Sequence, residues 1–162
     1  MNIIKYNSFL YNDIRWMYYC ILLAENARKQ GEVPVGAILV KNNNIIGMGY
    51  NNVIRFNDPT AHAEIIAIRQ GGNKIGNYRL LNSVLYVTLK PCLMCIGAIF
   101  NARIKKLVFG TEYTSNNVLN QLTNIIYNDC CIYSLVNSID NVFSNICSMQ
   151  LKYFFYCKRN KN

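Results

Sequence analysis

Acidic residues are scarce in this chain of 162: eight carboxylates stand against 17 lysines and arginines, leaving a formal net charge of +9. That excess favours a polyanionic partner, because binding such a partner releases its counterions. Solubility alone, or A/T-rich codons enriching Asn, Ile, Lys and Tyr, would give the same charge. Nine glycines and three prolines are too few for a long disordered linker. No apolar run reaches the roughly 20 residues of a membrane-spanning helix. The opening MNIIKYNSFLYNDIRW has no basic start followed by a long apolar core and a small-residue cleavage site, so secretion is not expected. Seven cysteines, an odd number, are then expected as reduced thiols in the cytoplasm, some of them free for metal. Repeats and low-complexity tracts are absent. Histidine occurs once, as His62, so any metal site here has a single imidazole to use.

What remains is the composition of a globular protein, 52% apolar and 15% charged, and its length suits one domain over 1–162. The pattern alternates helix and strand. Asp13 can cap a helix from about Ile14 to Gln30, with Arg28 and Lys29 in its last turn and Gly31 past its end. Val35 to Val40 and Ile45 to Tyr50 read as a hairpin around Asn42, Asn43 and Asn44. A helix follows from about Thr60 to Gln70, stopping at Gly71 and Gly72. Val84 to Leu89 is a strand, Cys92 to Arg103 a helix, and Lys106 to Phe109 a strand. These two strands flank a helix and should run parallel, giving a sheet covered on its faces by helices. A short strand near Cys131 to Val136 is expected. Ile139, Val142, Phe143, Ile146, Met149, Tyr153 and Phe154 then recur at helical spacing and read as a core stripe.

The chemistry lies in His62-Ala63-Glu64 and Pro91-Cys92-Leu93-Met94-Cys95. Zinc takes imidazole nitrogen and thiolate sulfur in a tetrahedron, and a catalytic site leaves one position open for water; one His with two Cys does so. Cys92 and Cys95, three apart, share one helix face, whereas His62 and Glu64, two apart, can both approach a metal only at a helix tip. Two helix N-termini would then favour thiolates by about 0.3–1 kcal/mol each. Two thiolates and a neutral imidazole already balance the zinc charge, so Glu64 is better used as a proton carrier than as a ligand. It would take a proton from the attacking water, pass it to a ring nitrogen, and later deliver one to leaving ammonia. The bland alternatives are a structural histidine and a redox or structural C-x-x-C pair. The two elements together match the zinc deaminase signature. Cys20, Cys130, Cys131, Cys147 and Cys157 read as buried small apolar residues.

The blocks GEVPVGAILV, GMGYN, DPTAHAEIIAIRQGG, NYRLLNSVLYVTL, PCLMCIGAIFNARI and VFG, between Gly31 and Gly110, resemble the tRNA-specific adenosine deaminase family of the cytidine deaminase-like superfamily. The resemblance implies a three-layer α/β/α fold, a mixed five-stranded sheet with helices on both faces. It implies one zinc ion (Zn2+) per subunit on His62, Cys92 and Cys95, with Glu64 as general acid and base. It implies that Asn51 hydrogen-bonds a flipped base, its amide offering both donor and acceptor, and that Val33 and the backbone of Ala63 line the base pocket. It further implies a homodimer; no membrane or DNA partner is expected. The substrate would be a tRNA anticodon stem-loop, whose first anticodon adenosine (position 34), in tRNA-Arg, becomes inosine. An anticodon loop offers unpaired bases, so extrusion costs less than from a duplex. Lys158, Arg159 and Lys161 could hold the backbone.

Some positions depart from the family pattern. Lys90 replaces a glutamate before the Pro-Cys pair, Thr111 to Asn117 replaces a Gly- and Ala-containing loop, and Phe100-Asn101 replaces a more polar pair. A deaminase of free bases or nucleosides and a non-catalytic RNA-binding zinc protein are the alternatives. The net charge argues against the first, and an intact Glu64 against the second.

Overall fold

The first hairpin turns on two residues. Strands β1 (Gly36–Lys41) and β2 (Asn44–Tyr50) are joined by Asn42 and Asn43, with φ of 50° and 59°. Two consecutive residues at positive φ match the twist of antiparallel strands, and asparagine tolerates that region better than most side chains. The protein is seen here as a computed structural model that describes residues 3–112, 132–134 and 141–160, with backbone only for 3–11, 132–134 and 141–142.

Strand β3 (Ser83–Leu89) pairs antiparallel with β1 and parallel with β4 (Lys106–Thr111), and β5 (Ile132–Ser134) runs parallel to β4. The sheet order is β2-β1-β3-β4-β5. Alternate residues face opposite ways. Ala37, Leu39, Leu85, Val87, Leu107 and Phe109 pack against Ala63 and Ala67 of α3 (Ala63–Ile75) and Ile96 and Ile99 of α4 (Leu93–Asn101). Ile38, Val40, Tyr86 and Val108 pack instead on Trp16, Met17, Cys20 and Ile21 of α1 (Ile3–Lys29) and on Cys147 of the last helix. The result is three layers with helices on both faces, and each fully buried leucine of the sheet contributes about 1.5–3 kcal/mol.

Gly47 and Gly49 bring α3 onto β2. A Cβ on either would overlap the backbone oxygens of Ala67 and Ala63 respectively, so only glycine permits this contact. The approach fixes where α3 begins, and the candidate site lies at that end.

Several boundaries differ from those expected. Helix α1 starts at Ile3, so Asp13 lies inside it and caps nothing. Asp13 instead accepts hydrogen bonds from Tyr86 Oη at 2.6 Å and Lys106 Nζ at 2.8 Å, tying α1 to β3 and β4. Helix α3 starts at Ala63 and runs through Gly71 and Gly72 to Ile75, ending at Gly76 with φ 69°. Gly71 is a packing residue: a Cβ there would come within 2.5 Å of Leu39 Cδ2, so the helix carries a glycine despite its cost of roughly 1 kcal/mol. Helix α4 is shorter than expected, with Cys92 as its N-cap rather than its first residue. A one-turn helix, α2 (Val53–Phe56), was not foreseen from the sequence pattern.

The last helix, α5 (Asn141–Arg159), corrects the expected core stripe. Ile146, Met149 and Tyr153 are exposed, while Cys147, Leu151 and Phe154 are buried and Phe143 packs beside them. The buried stripe thus follows Phe143, Cys147, Leu151 and Phe154, with the cysteine supplying an apolar step. Cys20 is likewise buried and Cys157 half-buried. Ile139, Cys130, Cys131, the ends of the expected 131–136 strand, most of the 111–117 loop and Lys161 lie outside the described residues. Among the described residues no helix is long and apolar enough to cross a membrane.

Candidate metal centre and active site

Helices α3 and α4 begin at the same end of the sheet. Their N-cap residues are His62 and Cys92, both with extended backbone and neither capping its own helix through its side chain. Both side chains are therefore available to each other. Cys92 Sγ lies 3.6 Å from His62 Nδ1, Cys95 Sγ lies 3.5 Å from the same nitrogen, and the two sulfurs are 3.7 Å apart. A tetrahedral zinc with Zn–S near 2.3 Å and Zn–N near 2.0 Å would space its ligands about 3.8 Å (S···S) and about 3.5 Å (N···S) apart. The triangle fits that ion on every edge. Among the described residues these three are the group of metal-ligating side chains close enough to share one ion.

The electrostatics favour an ionised sulfur. The hydrogen bond from Cys95 pulls Cys92 down to about 4, with help from His62 against the cost of burial. The same bond raises Cys95, and contact with Cys92 raises His62. Helix N-termini add in the same direction, since their free N–H groups carry partial positive charge.

Glu64 sits in the first turn of α3, 3% exposed, next to the Cys95 thiol. Burial is the main force on its carboxyl and pushes it up to about 7. Asn51, also buried, follows β2; its Oδ1 accepts the Ala63 N–H at 2.9 Å, which supplies the cap that His62 does not. The Ala63 N–H is thereby committed to Asn51. Val33 is partly buried and packs against the core cluster beneath α3 and α4. The structure thus gathers His62, Cys92, Cys95 and Glu64 around one point, with Asn51 joined to them through Ala63.

Two carboxylates near the site escape a reading of the spacing. Glu32, 2% exposed, accepts the backbone N–H of Arg55 at 2.9 Å and so holds the one-turn helix that follows Asn51. Its signal in the sequence is slight, an acid between Gly31 and the apolar run that opens at Val33. Glu112 meets Lys90, with 3.5 Å between Nζ and Oε1; nothing local in sequence links the two.

A buried carboxylate beside a His/Cys/Cys triangle at two helix tips defines a metal-dependent hydrolytic site. Residues 10–111 match the cytidine and deoxycytidylate deaminase zinc-binding region. The tRNA-specific adenosine deaminase of Haemophilus influenzae is 46% identical over 149 residues, 91% of this chain and 85% of that one. That of Buchnera aphidicola is 59% identical over 101 residues, 62% of this chain and 67% of its own length. A structure solved in a study of A-to-I editing by tRNA:A34 deaminases at the wobble position superposes with a TM-score of 0.73 at 31% identity, covering 85% of this chain and 99% of that one. The chain belongs to this zinc-binding deaminase family, among its tRNA-specific adenosine deaminases.

Replacing the buried Cys95 with Ser is expected to reduce bound zinc from about one per chain to a small fraction, read by elemental analysis of folded protein. Zinc retained at the parent level would remove Cys95 from the ligand set.

Proposed function

We propose that the chain, as a single deaminase domain, converts adenosine at the first anticodon position of a tRNA to inosine by hydrolysis. The observation that carries this is the buried Glu64 beside the His62, Cys92 and Cys95 triangle in a chain of tRNA adenosine deaminase kind. Bound by those three side chains, zinc supplies a Lewis acid that makes water a nucleophile near neutral pH. Glu64 takes a proton from the water attacking C6 of adenine and delivers it to N1. A second proton then reaches the amine through Glu64, the C6–N bond breaks, and ammonia leaves in exchange for one water. Asn51, oriented by Ala63, hydrogen-bonds the flipped base, and Val33 bounds the pocket beside it. Glu64→Ala is expected to keep the fold and its zinc while lowering turnover by about a hundredfold to ten thousandfold. Asn51→Ala should lower kcat/KM with the zinc content unchanged. Parent-level turnover in the Glu64 variant would remove it from the chemistry.

The RNA partner is supported by surface as well as by family. Tyr153 and Tyr156 are exposed on α5, Arg28 stacks over Tyr153, and Lys158 and Arg159 follow in the last turn. Gln30, just past α1, bonds Tyr50 and Arg55, which leads from this basic end to Asn51. Aromatic faces interleaved with cations suit unpaired nucleotides and phosphate. The isoacceptor expected is tRNA-Arg, and the setting the cytoplasm. An arginine anticodon stem-loop should be edited, read as guanosine after reverse transcription, and stem-loops with another first anticodon base should not. Lys158→Glu with Arg159→Glu should weaken RNA binding and reduce its salt slope by about one per cation. Ammonia release from free guanine or adenosine, with no editing of any stem-loop, would favour a free-base deaminase.

The homodimer finds support on α4. Leu93, Met94 and Phe100 are exposed along it, with open space at Gly97 between them, beside the metal ligands. A contiguous apolar strip of this kind is better covered than wet. Sedimentation equilibrium is expected to give twice the chain mass, with Phe100→Asp shifting it to the monomer. A parent that sediments as a monomer would refute self-association.

A further inference from the structure

Lys90 stands two residues before Cys92, on the segment that leaves β3 and turns into α4. Its side chain is only 13% exposed, its Nζ lies 3.5 Å from Glu112 Oε1, and it sits over the Phe109 ring at 6.0 Å. Its backbone N–H donates to Thr111 O at 2.8 Å, one step beyond the last register pair of β3 and β4, Leu89 and Thr111. Two anchors, one of backbone and one of charge, therefore join the Cys92 segment to the end of β4.

We propose that Lys90 and Glu112 are a positioning pair for the metal centre, an ion pair that holds the Pro91–Cys92 segment where the Cys92 sulfur meets Cys95 and His62. The proposal rests on the metal-site reading above. Cys92 is exposed and makes no cap to its own helix, so its sulfur is placed by the path of the backbone before it. An unpaired lysine this close would repel an arriving dication and cost free energy for its partial burial. Glu112 answers both by cancelling the charge. Either polarity would serve such a clamp, provided positions 90 and 112 carry opposite signs.

The test compares the parent with Glu112→Gln, Lys90→Glu and the exchange Lys90→Glu with Glu112→Lys. Zinc affinity is measured by competition with a chelator, alongside a thermal midpoint. Each single variant is expected to bind zinc about tenfold more weakly, as when a partner outside the ligand set is lost. The exchanged pair should return to within about twofold of the parent, the scatter of independent changes. Singles that match the parent, or an exchange as weak as the two singles combined, would overturn the clamp. A lowered midpoint with parent-level zinc affinity would overturn it too, by leaving Lys90 and Glu112 a purely structural pair. A parent that binds no zinc would fail at the metal reading itself, and the comparison among variants separates that result from the others.

Discussion

The candidate site depends on one constraint: two helices must begin at the same point with their N-cap side chains unspent. A helix start leaves N–H groups without partners, and an N-cap side chain usually takes one of them. Here His62 and Cys92 occupy N-cap positions without doing so. The Asn51 carboxamide caps α3 in their place, through Ala63. This division of labour frees imidazole and thiol to face one another, while the first-turn dipoles still favour anionic sulfur. The glycines of β2 complete the arrangement, because α3 could not lie so low on the sheet over any larger residue.

Much of this was legible in the sequence because the signals were local. The i, i+3 spacing of Cys92 and Cys95 and the i, i+2 spacing of His62 and Glu64 bear directly on helix-tip geometry, and the strands showed as apolar runs broken by Asn, Gly and Pro. Less could be read where a residue answers to a distant partner. Asp13 has the look of a cap, yet it bonds Tyr86 and Lys106, 73 and 93 residues away. Gly71 has the look of a terminator, yet it serves packing against Leu39. Along α5 the helical period was visible but its phase was not: Ile146, Met149 and Tyr153 are as apolar or aromatic as the residues that turn inward, and the side that is covered is decided by α1 and the sheet, which lie far away in sequence.

Among the described residues the ion pairs fall into two kinds, exposed and better covered. Arg28 with Glu25 lies on the surface of α1 and Arg69 with Asp58 beside α3; exposed pairs of this sort are screened by solvent and add little to stability. Lys106 with Asp13 and Lys90 with Glu112 involve better-covered lysines and each joins separate elements of the chain. They stand at opposite ends of β4, one beneath α1 and one beside the turn into α4. Both of these covered pairs stand where a strand must be held in step with a helix.

The Asn51 carboxamide has a consequence for what can lie beside it. Because a peptide N–H can only donate, the oxygen of this side chain must turn toward Ala63, which sets the rotation of the whole planar group. The nitrogen end then faces the other way, and a neighbour is welcomed for a lone pair and penalised for a hydrogen. The start of α3 thereby decides which hydrogen-bonding polarity the free end of this side chain presents.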